Sequence, residues 1–244
     1  MGMLPDKKTP KKTNLSDLTV LLFGMPKAGK STWCSNAEGA LFLATEPGLN
    51  HLEVYQVPIS TWEELLAALA EVAKGEHAFR TIVIDTTDNA YRFCVDYICT
   101  KHGVKHPADL PYGKGHALVN NEFLRVLNKL AQLPYGVILT SHAQEREVEG
   151  RTGTYTKTTP TLPDGARKVL LGFVDIIAFV DVEADRGQDG AITYRRVVRT
   201  KPSMHYEAGD RTGRLPEVLP LDYAAFAAAL GGERPRPGKT TNGK

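Results

Sequence analysis

Nine consecutive residues carry the clearest chemistry in the chain: Gly24, Met25, Pro26, Lys27, Ala28, Gly29, Lys30, Ser31 and Thr32. They spell G-x-x-x-x-G-K-[ST]. A polyphosphate has to be wrapped by backbone N–H groups, and that requires a loop free to take angles that glycine tolerates. A helix opening at the end of the loop would turn its positive end toward the anion. In that frame Lys30 is expected to reach the β- and γ-phosphates, and the Ser31 hydroxyl to ligate Mg²⁺.

A phosphate loop needs partners from other strands. Asp85 closes the apolar run Thr81 to Asp85, about fifty residues on, and a carboxylate at a rigid strand tip is suited to orient the metal. Hydrolysis also needs a group that orients or deprotonates water. Thr86 follows Asp85, so there is no adjacent Asp-Glu pair. Glu46, at the end of Ala40 to Thr45, is the expected base, because carboxyl ends of strands line the ligand crevice of open α/β sheets. Asp88 is the alternative. The run Gly136 to Ser141 ends beside His142, a polar tip that either senses the γ-phosphate or is simply satisfied at a strand end.

These groups must be held by alternating strands and helices. Leu18 to Phe23, Ala40 to Thr45, Thr81 to Asp85 and Gly136 to Ser141 read as buried strands. Ser60 to Lys74 reads as a helix with Ser60 as N-cap, Glu63 three residues on and Gly75 at its end. Val119, Phe123, Leu127 and Leu130 mark a second helix. Val174 to Glu183 and Ile192 to Thr200 read as a hairpin, and Asp222 to Leu230 as a closing helix. The expected fold class is α/β: a mostly parallel sheet flanked by helices, with a late antiparallel hairpin extension. Residues 15–230 form the domain. Residues 1–14 and 231–244 are basic and lack apolar periodicity, so both are expected to be disordered tails.

Composition narrows the class further. The 244 residues hold 30 Lys+Arg against 28 Asp+Glu, and the basic excess lies in the two tails, leaving the body acidic. Overall charge therefore makes no case for nucleic acid. No apolar run approaches a membrane span, and no secretory signal is visible. Cys34, Cys94 and Cys99 make neither a disulfide framework nor a zinc pattern, which reads as a reduced cytoplasmic compartment. Trp33 and Trp62 read as packing residues.

In their order, the phosphate loop, the strand ending in Glu46, TIVID with Asp85, and the strand ending in Ser141-His142 resemble RecA-like ATPases. The stretches ATEPGLNHL, TIVIDTTDNAY, GKGHALVNNEFLRVLNKL, LTSHA and TKPSMHYEAGDRTGRLP are similar to the small phage-encoded RecA-like ATPases. Some of these act as single-strand DNA annealing recombinases. The resemblance spans residues 18–229. It implies a RecA-like P-loop NTPase core that binds ATP and Mg²⁺ and hydrolyses ATP while annealing single-stranded DNA in recombination. It also implies a homo-oligomer, ring or filament, in the host cytoplasm, with a single-strand DNA-binding protein as a further partner. Glu46 takes the place of the base, and Lys201, or else Arg211, that of a cation reaching a neighbour's γ-phosphate. The chain departs from RecA in lacking its N-terminal polymerisation domain and larger C-terminal domain, and in carrying His142 where RecA has Gln.

The same resemblance points to loops at 101–116 and 143–163 for DNA. The first holds Lys101, His102, Lys105, His106, Lys114 and Tyr112. The second holds Arg146, Arg151, Lys157 and Tyr155, opposed by Glu145, Glu147 and Glu149. Cations interleaved with aromatics suit a single strand, where stacking contributes about 1–3 kcal/mol per base. Residues 186–214 hold seven basic and three acidic side chains, suited to a subunit interface or to phosphate. Two other functional classes stay open: a nucleotide-gated DNA-binding or partner-loading module with little turnover, and a P-loop small-molecule kinase, for which no arginine-rich lid is evident.

Overall fold

A computed structural model describes residues 4–151, 153–186 and 191–231. Its strands are β1 (Thr19–Gly24), β2 (Ala40–Ala44), β3 (Tyr55–Pro58), β4 (Thr81–Asp85), β5 (Gly136–Gly150), β6 (Gly153–Pro160), β7 (Ile176–Arg186), β8 (Ile192–Arg199), β9 (Gly209–Asp210) and β10 (Val218–Pro220). Its helices are α1 (Lys30–Ser35), α2 (Trp62–Lys74), α3 (Thr87–His102), α4 (Lys114–Ala131), α5 (Asp164–Phe173) and α6 (Tyr223–Gly231). The sheet order is β10-β8-β7-β1-β5-β4-β2-β3, with β6 on β5 and β9 on β7. Every pairing from β7 across to β3 is parallel, and β8, β10, β6 and β9 join by antiparallel pairing. The expected α/β fold, a mostly parallel sheet flanked by helices with a late antiparallel hairpin, is therefore what the chain forms. The turn of that hairpin, 187–190, lies outside the described residues, as does 232–244 of the expected C-terminal tail.

Continuous apolar runs become strands here because both faces of the sheet are covered. Leu21, Ile82, Ile84, Val137 and Leu139 pack on one side with Trp62, Phe123 and Leu170, from α2, α4 and α5. Val20, Leu22, Val83 and Ile138 pack on the other side with Trp33 and Cys34 of α1 and Phe226 of α6. The two-residue period thus sends neighbouring side chains into separate cores. Trp33 lies edge-on to Tyr223 and Phe226, fixing α1 against α6. Among the described residues, no helix is long and apolar enough to cross a membrane.

Several elements differ from the sequence expectation. The N-cap of α2 is Thr61, whose hydroxyl accepts from the Glu64 N–H at 3.1 Å, while the Glu64 carboxylate takes the Ser60 N–H. Residues 143–163 are mostly not a loop. β5 runs on past the sheet to Gly150 and returns as β6, a polar two-stranded arm. Helix α3 has a buried face of Ala90, Tyr91, Cys94 and Ile98, at helical spacing but with Ile98 as its one large aliphatic residue, where α4 buries Val119, Val126, Leu127 and Leu130. Leu4 to Thr13 form neither helix nor strand.

Candidate nucleotide site

The sheet register brings the expected groups to one edge. Gly24 is level with His142 on β5, and Ala44, two residues before Glu46, is level with Asp85. The phosphate loop leaves β1 where that strand is pressed against β7: a Cβ on Gly24 would stand 2.7 Å from the Val180 carbonyl oxygen. Gly29 closes the loop in the left-handed region, at φ 101°, and caps α1. The first N–H groups of that helix have no carbonyl behind them and face the loop.

Lys30 is only 6% exposed. Its ammonium donates to the carbonyls of Gly24 and Met25, both at 3.0 Å, so the cation spans its own loop. Burial lowers its pKa from the usual lysine value, against the raising pull of Asp85, Asp88 and Glu46. Ser31 Oγ donates to Asp85 Oδ2 at 2.8 Å, and Thr140 Oγ1 donates to Asp85 Oδ1. Thr140 reaches Asp85 because β5 lies between β1 and β4. Asp85 is 4% exposed, and among the described residues only hydroxyl groups hydrogen-bond to its carboxylate. A hydroxyl in contact with a buried carboxylate is the hard-oxygen donor set that Mg²⁺ takes, so Ser31 and Asp85 fit the expected metal.

Glu46 is held from three directions. Thr45 Oγ1 accepts the Thr86 N–H at 2.7 Å and donates to the Thr86 carbonyl at 2.8 Å, clipping the end of β2 to the end of β4. Asn89 Nδ2 donates to Glu46 Oε2 at 3.3 Å, and His142 Nε2 stands 3.5 Å from the same oxygen. The His142 contact, helped by Lys30 and Asn89, pulls the Glu46 pKa below its usual value against partial burial. In return Glu46 raises that of His142, against burial and the nearby Lys30. His142 Nδ1 is buried with no partner among the described residues. Asp88, the alternative base, accepts from Ser141 Oγ at 2.9 Å, from the His142 N–H at 3.1 Å and from Thr161 Oγ1. Its carboxylate ties α3 to β5.

Pro26, Lys27, Lys30, Ser31, Thr32, Glu46, Asp85 and His142 line one cavity of about 590 Å³. Met25 is exposed, and the Ala28 N–H donates to the Met25 carbonyl at 3.3 Å. Lys201 is not brought there. It follows β8, which runs antiparallel away from the loop, and its Nζ donates to Asp210 at 3.2 Å, level with Ile176 at the start of β7. Arg211 caps α5 by donating to the Gly172 and Phe173 carbonyls. His51 and Arg196 line the same cavity and were not assigned to it by sequence. Arg196 had shown only as one cation in a basic segment.

A family model described as AAA domain matches residues 16–212. The chain belongs to the AAA domain family. No curated protein matches it. Among solved structures, a KaiC-like protein from Pyrococcus horikoshii OT3 is 15% identical, with 75% of this chain and 78% of that one covered, at a TM-score of 0.42. The flagellar accessory protein FlaH from Methanocaldococcus jannaschii is 11% identical, with 79% and 80% covered, at 0.42. An ATPase from the type III secretion system of pathogenic bacteria is 14% identical, with 68% and 51% covered, at 0.43. These are low-identity similarities of chain path and say nothing of substrate or partner.

Proposed function

We propose that this AAA-family chain binds Mg²⁺-ATP and hydrolyses it, coupling the cycle to binding and annealing of single-stranded DNA. The observation that carries the nucleotide part is the convergence of Lys30, Ser31, Asp85 and Glu46 at the mouth of one phosphate loop. Lys30 is to leave its carbonyl partners for the phosphates. Ser31 and Asp85 would hold Mg²⁺, which supplies charge neutralisation on the phosphoryl group. Glu46 orients the attacking water and takes its proton. Lys201 acts, on this reading, on a neighbouring copy's nucleotide, which makes turnover depend on assembly.

For DNA, support lies on the connection between α3 and α4. Tyr112 there is 96% exposed, and Lys105 on the same connection, with Lys101 and Lys114 at the helix ends that flank it, are exposed cations. An exposed ring among cations suits stacked bases. The β5–β6 arm gives less support, because its outward face carries Glu145, Glu147 and Glu149.

A second reading, a nucleotide-gated module with little turnover, is favoured by the engagement of Glu46 with His142 and Asn89. One titration separates the two: ATP turnover with and without single-stranded and duplex DNA, at several salt concentrations, with Lys30→Ala as the blank. The hydrolytic reading expects turnover stimulated by single strands and absent in Lys30→Ala. Nucleotide binding with no turnover under any condition leaves the gated module.

A further inference from the structure

The basic segment 186–214 is less available than its composition suggests. Arg195 pairs with Glu183 at 2.8 Å, and Arg199 with Asp181 at 2.7 Å and Glu183 at 2.8 Å. Lys201 pairs with Asp210, Arg211 caps α5, and Arg214 donates to the Leu230 carbonyl at 2.9 Å. Arg196 is different. Among the described residues its guanidinium makes no hydrogen bond or ion pair, yet it lies beside the phosphate loop: a Cβ on Gly29 would stand 3.3 Å from Arg196 Nη1.

Its backbone is fixed. Arg196 pairs with Val182 on β7, and its carbonyl accepts the Leu221 N–H at 3.2 Å. The side chain therefore hangs over Gly29 from a strand paired on both sides. A second cavity, of about 380 Å³, opens there between the flank of α1, at Thr32 and Asn36, and the strap Pro220 to Tyr223. Gly29, Thr32 and Arg196 line both this cavity and the one holding Glu46 and Asp85.

We infer that Arg196 is a nucleotide-binding residue acting within its own chain, contacting the phosphates nearest the nucleoside where the triphosphate half of the site meets the nucleoside half. This rests on the nucleotide reading above. The groups suited to the terminal phosphate, Glu46, Asp85 and His142, line the first cavity and not the second. A guanidinium beside Gly29 and Thr32 instead meets phosphates that ADP and ATP share, and its planar fork suits two phosphate oxygens at once. A cation without an ion pair among the described residues has none to break before it binds.

The test is calorimetric titration of the full chain with Mg²⁺-ATP and with Mg²⁺-ADP, for wild type, Arg196→Ala, Arg196→Lys and Arg195→Ala. Arg195 lies one position away on the opposite face of the strand and serves as control. Arg196→Ala is expected to weaken ATP and ADP alike by about tenfold, Arg196→Lys to recover part of the loss, and Arg195→Ala to change neither. Unchanged affinities in Arg196→Ala overturn the assignment, and so does a loss confined to ATP. An equal loss in Arg195→Ala also overturns it, by showing a general charge effect in place of a contact. If wild type itself binds neither nucleotide, the reading of the whole site falls with it.

Discussion

The Glu46–His142 pair predicts how turnover responds to pH. The two side chains are 3.5 Å apart and about a third exposed, at 34% and 29%. Two unit charges at that distance attract by about 1.2 kcal/mol at the dielectric of water and about 4.7 kcal/mol at an effective value of 20. Solvent contact puts this pair at the low end, about 1 kcal/mol. Protonated His142 should therefore withhold Glu46 from water by about five- to eightfold. The sign follows from the shifts. Glu46 raises His142 above its ordinary 6.5, and His142 holds Glu46 below its ordinary 4.5, so the carboxylate is ionised throughout and the imidazole is what titrates. As pH rises past the raised pKa of His142, the pair dissolves and Glu46 is released. Turnover at saturating ATP should rise by that factor between about pH 6 and pH 8. The linked stability runs the other way. The His142 contribution is complete below 6.5 and is lost as pH rises through its raised pKa, while that of Glu46 is lost only as pH falls through its lowered one. In His142→Gln the acid limb should flatten, because glutamine fills the space without titrating. An acid limb unchanged in that variant would show that another group controls the profile and refute the reasoning.

Other substitutions probe separate parts of the site. Glu46→Gln should keep ATP binding while single-turnover hydrolysis falls by about 10²–10⁴-fold, since the amide still accepts from Asn89 but takes no proton; undiminished turnover removes the assigned base. Gly24→Ala should lower the melting temperature, at a cost of about 1–3 kcal/mol, because the new methyl meets backbone and Cβ of Val180 at 2.7 and 2.9 Å. Lys201→Ala should leave ADP affinity unchanged and lower turnover only in assembled protein; a defect equal at all protein concentrations argues against action on a neighbour.

Legibility from the sequence depended on how local each constraint was. The phosphate loop could be read because its glycines answer to the loop's own backbone, and Asp85 and Glu46 because each ends an apolar run. Helix α3 escaped because its buried face is mostly Ala, Tyr and Cys with a single Ile, and β6 because Thr-rich GTYTKTTP has no apolar alternation. The edge strand β3 is exposed at all four positions and carries no burial signal. Partners were harder still. Asp88 looked like a free carboxylate, but its three donors come from residues 53 to 73 positions away. His142 meets Glu46 across 96 positions, and only the parallel order β1-β5-β4-β2 places them at one edge.

Charge was misread for a related reason: counting residues along a strand ignores which way they point. In the β5–β6 arm Arg146 and Lys157 are cross-strand partners, as are Val148 and Tyr155, so all four share a face. Glu145, Glu147 and Glu149 alternate with them and lie on the other face, opposite Thr158, Thr156 and Thr154. Arg146 and Lys157 are then neutralised by Asp164 and Glu207, while the three glutamates stay exposed. The local count shows a balanced loop; the folded arm shows water an acidic face. A phosphate backbone approaching that face would be repelled, and screening weakens such repulsion only beyond roughly 8 Å at physiological salt. The β7–β8 arm obeys the same two-residue rule with a different result. Arg195 and Arg199 point to the face that carries Glu183 and Asp181, and Arg196, between them, points to the phosphate loop. One strand thus spends two of its arginines on internal pairing and leaves the third for an anion at the site.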